Sequence, residues 1–121
     1  MWLRRTIQRN RHVGGMRCMG SVVRISERMI EQGQEVKIQE LMVGVRKRVL
    51  QQPGLLSMDT VVDTKDPTCY AVITEWESKK HLNEWLSSDL CKHVSEQLSE
   101  VLKKPVKARE FRESEEDIFL L

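Results

Sequence analysis

Side chains able to do chemistry are sparse in this sequence, and their spacing is wide. Cys18, Cys69 and Cys91 are an odd number with no close pair, which excludes a zinc knuckle or a redox motif and fits reduced thiols in an intracellular compartment. Cys91 and His93 do not by themselves make a ligand set, so no metal site is expected. His81 reads as an exposed polar residue at the start of a helix. Nothing resembles a nucleophile triad, a phosphate-binding loop or a dinucleotide-binding glycine run, and no strong general base stands out.

The elements that must position these residues follow from the hydrophobic period. Gly20 to about Ile30 is rich in β-branched residues and predicts a first strand, with Val22, Arg24, Ser26 and Arg28 on one side and Val23, Ile25, Glu27 and Met29 on the other. Past Gly33 the period changes. Ile38, Leu41, Met42, Val45 and Val49 predict an amphipathic helix over Gln34 to Gln51, ended by Pro53-Gly54, and Arg46, Lys47 and Arg48 suit the negative end of its dipole. Leu55 to Asp63 predicts a second strand, Thr64-Lys65-Asp66-Pro67 a turn, and Cys69 to about Trp76 a third strand with Tyr70, Val72, Thr74 and Trp76 on one face. Ser78 is a plausible N-cap for the next helix, in which Leu82, Leu86, Leu90, Val94, Leu98 and Leu102 recur in fours. Strict fours drift around a helix of about 3.6 residues per turn, so a break is expected near Ser87-Ser88-Asp89. Val106 to Arg112 reads as the fourth strand. This β-α-β-β-α-β order is the ferredoxin-like α+β arrangement, one four-stranded antiparallel sheet with its helices on one face. Apolar residues on both faces of the second strand, Leu55, Leu56, Val61 and Val62, ask for a second cover, and an identical sheet supplies one, so a homodimer through the sheet faces is expected.

The chain has 121 residues with 20 Lys plus Arg against 18 Asp plus Glu, the size of one domain with one modest core. Its positive charge is gathered at one end: residues 1–19 hold five arginines and no acid, leaving a mildly acidic body and arguing against a nucleic-acid-binding surface. Three segments result, a basic leader over 1–19, a domain over 20–112 and an acidic-apolar tail over 113–121. The leader, with Leu3 and Ile7 four apart, fits a mitochondrial transit peptide; Thr6 is its sole Ser or Thr, so a plastid address is the weaker version, and a disordered extension on a cytoplasmic protein is the alternative. No apolar run approaches the roughly 20 residues of a membrane span. The tail, ending in Ile118, Phe119, Leu120 and Leu121, either docks on a partner or frays in solvent.

Gln52-Pro53-Gly54-Leu55-Leu56-Ser57, followed by Asp66-Pro67, Tyr70-Ala71-Val72-Ile73, Trp76-Glu77-Ser78 and Trp85-Leu86-Ser87-Ser88, resembles the antibiotic biosynthesis monooxygenase (ABM) domain family of dimeric α/β barrels, from about Ser21 to Phe111. The resemblance implies protomers packed sheet against sheet, each with a pocket between its own sheet and helices, and oxygenation of quinols or polyketide-like aromatics with no cofactor. It also implies Trp76 as a pocket residue, where an indole can stack on a flat aromatic and offer an N–H donor; a core position is the competing reading. Trp85 reads as packing. Arg24 and Tyr70, projecting from strands, are candidates to orient the substrate, beside surface or interface roles. Haem-degrading members carry an asparagine and a histidine where this chain has Ser26 and Ser95, and His93 lies about 200° round the helix from Ser95, so haem binding or degradation is the lesser alternative. Other members place histidines where this chain has Trp85 and Leu90. The function expected is binding of a small flat apolar or aromatic molecule, as a cofactor-independent monooxygenase or, alternatively, as a noncatalytic dimeric binding or assembly module.

Overall fold

The computed structural model describes residues 20–113; the leader, with Cys18, and the tail from residue 114 onward lie outside the described residues. Seven elements follow one another: β1 (Val22–Met29), α1 (Glu35–Leu50), β2 (Leu55–Val62), β3 (Cys69–Trp76), α2 (Lys79–Leu86), α3 (Asp89–Ser99) and β4 (Lys107–Arg112). The strands form one antiparallel sheet in the order β2-β3-β1-β4, which places β1 and β3 in the middle. This is the ferredoxin-like α+β fold expected from the element order.

Local chemistry accounts for the boundaries. The β2–β3 turn is held by two aspartates: Asp63 Oδ1 accepts the backbone N–H of Lys65 at 2.7 Å and of Asp66 at 3.2 Å, and Asp66 Oδ1 accepts the Thr68 hydroxyl at 2.6 Å. Ser78 caps α2 by accepting the His81 N–H at 3.2 Å. The stripe of fours divides at Ser87-Ser88-Asp89, as its drift requires, because Ser88 adopts extended backbone angles and caps α3 through the Cys91 N–H at 3.1 Å. That division cancels the drift of the stripe and keeps Leu82, Val94 and Leu98 all buried. Gly54, at φ +81°, turns the chain from α1 into β2 in a conformation that glycine adopts without strain.

The helices cover one face of the sheet. Ile38 packs with Tyr70, Val72 and Val101; Val45 and Val49 of α1 pack with Val94 and Leu98 of α3; and Val22, Trp76 and Leu82 form a third cluster at the α2 end. The strand alternation sends Val23, Ile25, Ala71, Ile73 and Phe111 to the opposite face, where Phe111 is 41% exposed and carries the Arg109 guanidinium 4.9 Å from its ring centre. No described helix is long and apolar enough to cross a membrane.

Candidate functional site

A central strand covered by helices normally presents apolar side chains to them, yet β1 presents Arg24, Ser26 and Arg28. The helices do not close over these residues. A cavity of about 500 Å³ remains between the sheet and α1, within the range of about 300–1,000 Å³ usual for small-molecule sites. Its floor is that β1 row with Tyr70, Val72 and Thr74 of β3 and Met58, Thr60 and Val62 of β2. Ile38, Met42, Val45 and Val49 of α1 form the roof, and Trp85 and Val94 add apolar wall from α2 and α3. Val43 and Val62, both exposed, complete the lining with Glu35, Gln39 and Arg46.

The polar groups on the floor are two guanidiniums, a phenol and the hydroxyls of Ser26, Thr60 and Thr74. Ser26 Oγ donates to the Val72 carbonyl at 3.3 Å, so its proton is used within the sheet. The Arg28 guanidinium lies 5.8 Å from the centre of the Tyr70 ring, a cation-π contact, and its Nη1 sits 4.0 Å from Met42 Sδ. Burial pushes the Arg24 guanidinium below its ordinary pKa, and the charge of Arg28 adds to that effect, while Cys91 and Glu110 oppose it. The Tyr70 side chain is only 7% exposed. Its hydroxyl, with Arg24 Nε and Arg28 Nε, is buried without a hydrogen-bond partner among the described residues.

Of the residues that the sequence singles out, Arg24 and Tyr70 line the floor of the cavity. Trp76 does not. It is fully buried between Val22 and Leu82, its Nε1 donates to Thr74 Oγ1 at 3.0 Å, and its ring stacks on Trp85 with centroids 6.3 Å apart and planes 20° apart. The indole on the wall is Trp85, which the sequence presents as packing and which Trp76 supports from behind. His81 is half-buried rather than exposed, with Nδ1 2.8 Å from Ser78 Oγ; His93 is exposed on α3; neither lines the cavity. Among the described residues no three His, Cys, Asp or Glu side chains converge where a metal ion could sit.

Sequence reasoning passed over Arg28, Met42, Met58, Thr60 and the cavity-lining Arg46. Arg28 was detectable, because the alternation of β1 already puts it on the Arg24 side. Arg46 carried no such signal, since a basic residue towards the C-terminal end of a helix has an adequate local reason to be there.

A model of the antibiotic biosynthesis monooxygenase family matches residues 21–97. No curated protein matches the chain. Among solved structures, a conserved protein from Methanosarcina mazei Go1 superposes with a TM-score of 0.75 at 18% identity, covering 80% of this chain and 96% of its own. The Rv0793 protein of Mycobacterium tuberculosis does so with a TM-score of 0.72 at 17% identity, over 81% of this chain and 99% of its own. A structure described as an antibiotic biosynthesis monooxygenase gives 0.70 at 17% identity, over 77% and 98%. At these identities the likeness to solved structures establishes the fold alone. The family model spans more than half of the sequence, from the first strand into the last helix, and on that match the chain belongs to the antibiotic biosynthesis monooxygenase family.

Proposed function

We propose that the chain binds a small, flat, largely apolar molecule in the cavity between its sheet and α1 and oxidises it with dioxygen, without a tightly bound cofactor. The observation that carries this reading is the cavity itself: an apolar volume of about 500 Å³, walled by an indole, methionines and branched aliphatics, with two guanidinium groups and a phenol on its floor. The chemistry suits such a site when the substrate does the electronic work. A methylene flanked by aromatic rings loses a proton to give a resonance-stabilised carbanion, which passes an electron to dioxygen. Combination of the two radicals forms the carbon–oxygen bond, and loss of water from the peroxide, with the second C–H proton, leaves a ketone. One oxygen atom ends in the ketone and the other in water, and dioxygen takes all four electrons, so no further reductant is needed. Arg24 and Arg28 serve this sequence by stabilising the enolate form of the carbanion. Glu35 is the carboxylate among the lining residues, and so the proton acceptor available on the wall.

One observation favours a second reading, a noncatalytic binding module: among the described residues no histidine lines the cavity, and Glu35 is exposed on the first turn of α1 rather than buried beside the arginines. Oxygen uptake separates the two. The full chain mixed with anthrone or a hydroquinone should consume oxygen faster than buffer, and Val45→Trp, which fills the cavity from α1, should abolish the excess. Uptake equal to buffer, with binding retained, would leave the binding module as the function.

Homodimerisation through the sheet face opposite the helices belongs to the same proposal, supported by the family relationship and by Val23, Ile25, Ile73 and Phe111 on that face. Light scattering at micromolar concentration should give twice the chain mass; a monomer mass would sink the idea. A mitochondrial address in residues 1–19 is proposed on composition alone, and a fluorescent fusion that stays diffuse in the cytoplasm would remove it.

A further inference from the structure

We propose that the ligand of this cavity carries, on its flat apolar body, an anionic oxygen group, a carboxylate or a phenolate, held by the guanidinium groups of Arg24 and Arg28 and by the Tyr70 hydroxyl. This rests on reading the cavity as the ligand site and adds the charge of what enters it.

Three buried polar atoms carry the inference. Arg24 Nε, Arg28 Nε and Tyr70 Oη all belong to residues on the cavity floor, and none has a hydrogen-bond partner among the described residues. Buried polar groups are rarely left so, because each lost hydrogen bond costs the full desolvation of the group. Guanidinium nitrogens only donate, and arginine does not give up its proton in proteins, so the arginines can be satisfied only by an acceptor. No acceptor among the described residues is bonded to either Nε: the Ser26 hydroxyl is turned to the Val72 carbonyl, the Thr74 hydroxyl is engaged by Trp76, and Glu110, whose charge reaches Arg24, is ion-paired with Lys79. Glu35, the carboxylate of the wall, is exposed. Two positive charges thus face a mostly apolar enclosure in which an anionic oxygen would be held more strongly than in water. The Arg28 guanidinium is already ordered against the Tyr70 ring, so little side-chain freedom remains to be lost on binding.

A matched pair of probes tests this: 2-naphthoate and 2-naphthamide share one flat bicyclic body and differ in charge. Titrated calorimetrically into the full chain at low salt, 2-naphthoate should bind about tenfold to a hundredfold more tightly than the amide, the usual span for hydrogen bonds to a charged group. Arg24→Met and Arg28→Met should each shrink that preference, Arg28→Lys should keep part of it, and Tyr70→Phe should lower naphthoate affinity while leaving the amide alone. Added salt should weaken the naphthoate alone, a readout that needs no variant if the methionine proteins fail to fold. Equal affinity for the two probes, or a preference unchanged in both methionine variants, overturns the anionic ligand and leaves the apolar cavity standing. Failure of both probes to bind overturns the cavity reading and this one together.

Discussion

Gly54→Ala places a methyl group where the fold has no room for it. Gly54 sits at φ +81°, and a Cβ built on it would stand 2.2 Å from Cγ, 2.4 Å from Cδ2 and 2.6 Å from Cβ of His81. The imidazole cannot swing away freely, because its Nδ1 is 2.8 Å from Ser78 Oγ and its backbone N–H is bonded to the same oxygen, which caps α2. Nor can the chain retreat easily, since the Gly54 carbonyl accepts the Glu77 N–H at 2.7 Å. Left-handed backbone costs an alanine about 1–2 kcal/mol. Moving the imidazole forfeits a hydrogen bond worth about 1 kcal/mol. The smaller entropy of the unfolded alanine chain offsets about 0.5 kcal/mol. The net expectation is a loss of about 2 kcal/mol, read as a lower urea midpoint at unchanged slope. His81→Ala in the same chain removes the two ring contacts but leaves the Cβ contact, so the double variant should recover about 1 kcal/mol relative to the sum of the single ones. A Gly54→Ala protein within about 0.5 kcal/mol of the parent would refute the reasoning, as would strict additivity of the two substitutions. The outcome bears on the site because this junction seats α2, and α2 carries Trp85 to the cavity wall.

Leu82→Ala, at a fully buried position against Val22 and Trp76, should cost about 3 kcal/mol by urea denaturation and alter the near-ultraviolet signal of the Trp76–Trp85 stack. Ser88→Ala removes the cap that separates α3 from α2 and should cost about 1 kcal/mol, whereas Ser88→Asp should restore most of it. The Thr68 hydroxyl holds the Asp66 carboxyl below its ordinary pKa. A depressed folded value means a contribution present above the unfolded carboxylate pKa of about 3.9 and lost as pH falls through the folded one. Carbon NMR titration should therefore show Asp66 titrating below free aspartate in the parent and returning toward it in Thr68→Val, and an unchanged value in that variant would contradict the assignment.

Periodicity made most of the fold legible. The third strand, Cys69–Trp76, has the bounds its alternation gives, and α1 differs from its expected span by one residue at each end, where Gln34 and Gln51 act as caps. The break between α2 and α3 was readable because fours cannot follow a helix, though only the structure shows that Ser87 closes one helix and Ser88 opens the next. The site was legible in part. Arg24 and Tyr70 project from strands and line the cavity, but the two tryptophans have exchanged places: Trp76 is core and Trp85 is wall. Both positions are apolar by every local measure, and which of two stacked rings faces a cavity is set by tertiary packing that no spacing encodes. The better signal was the run Arg24-Ile25-Ser26-Glu27-Arg28 itself. Two arginines flanking a serine on one face of a central, helix-covered strand contradict the pattern expected of a closed core, and such local conflicts mark functional sites.

The central claim is that the volume beneath α1 is a binding site for a flat apolar molecule. Amide and methyl chemical-shift mapping of the full chain during titration with anthrone tests it most directly. The account predicts saturable shifts in the Met42 and Met58 methyl groups, in the Val45 and Val72 methyls and in the indole N–H of Trp85, with the opposite sheet face around Ile25 and Ile73 unmoved. Shifts confined to that opposite face, or no saturable shift among the cavity residues, would contradict it.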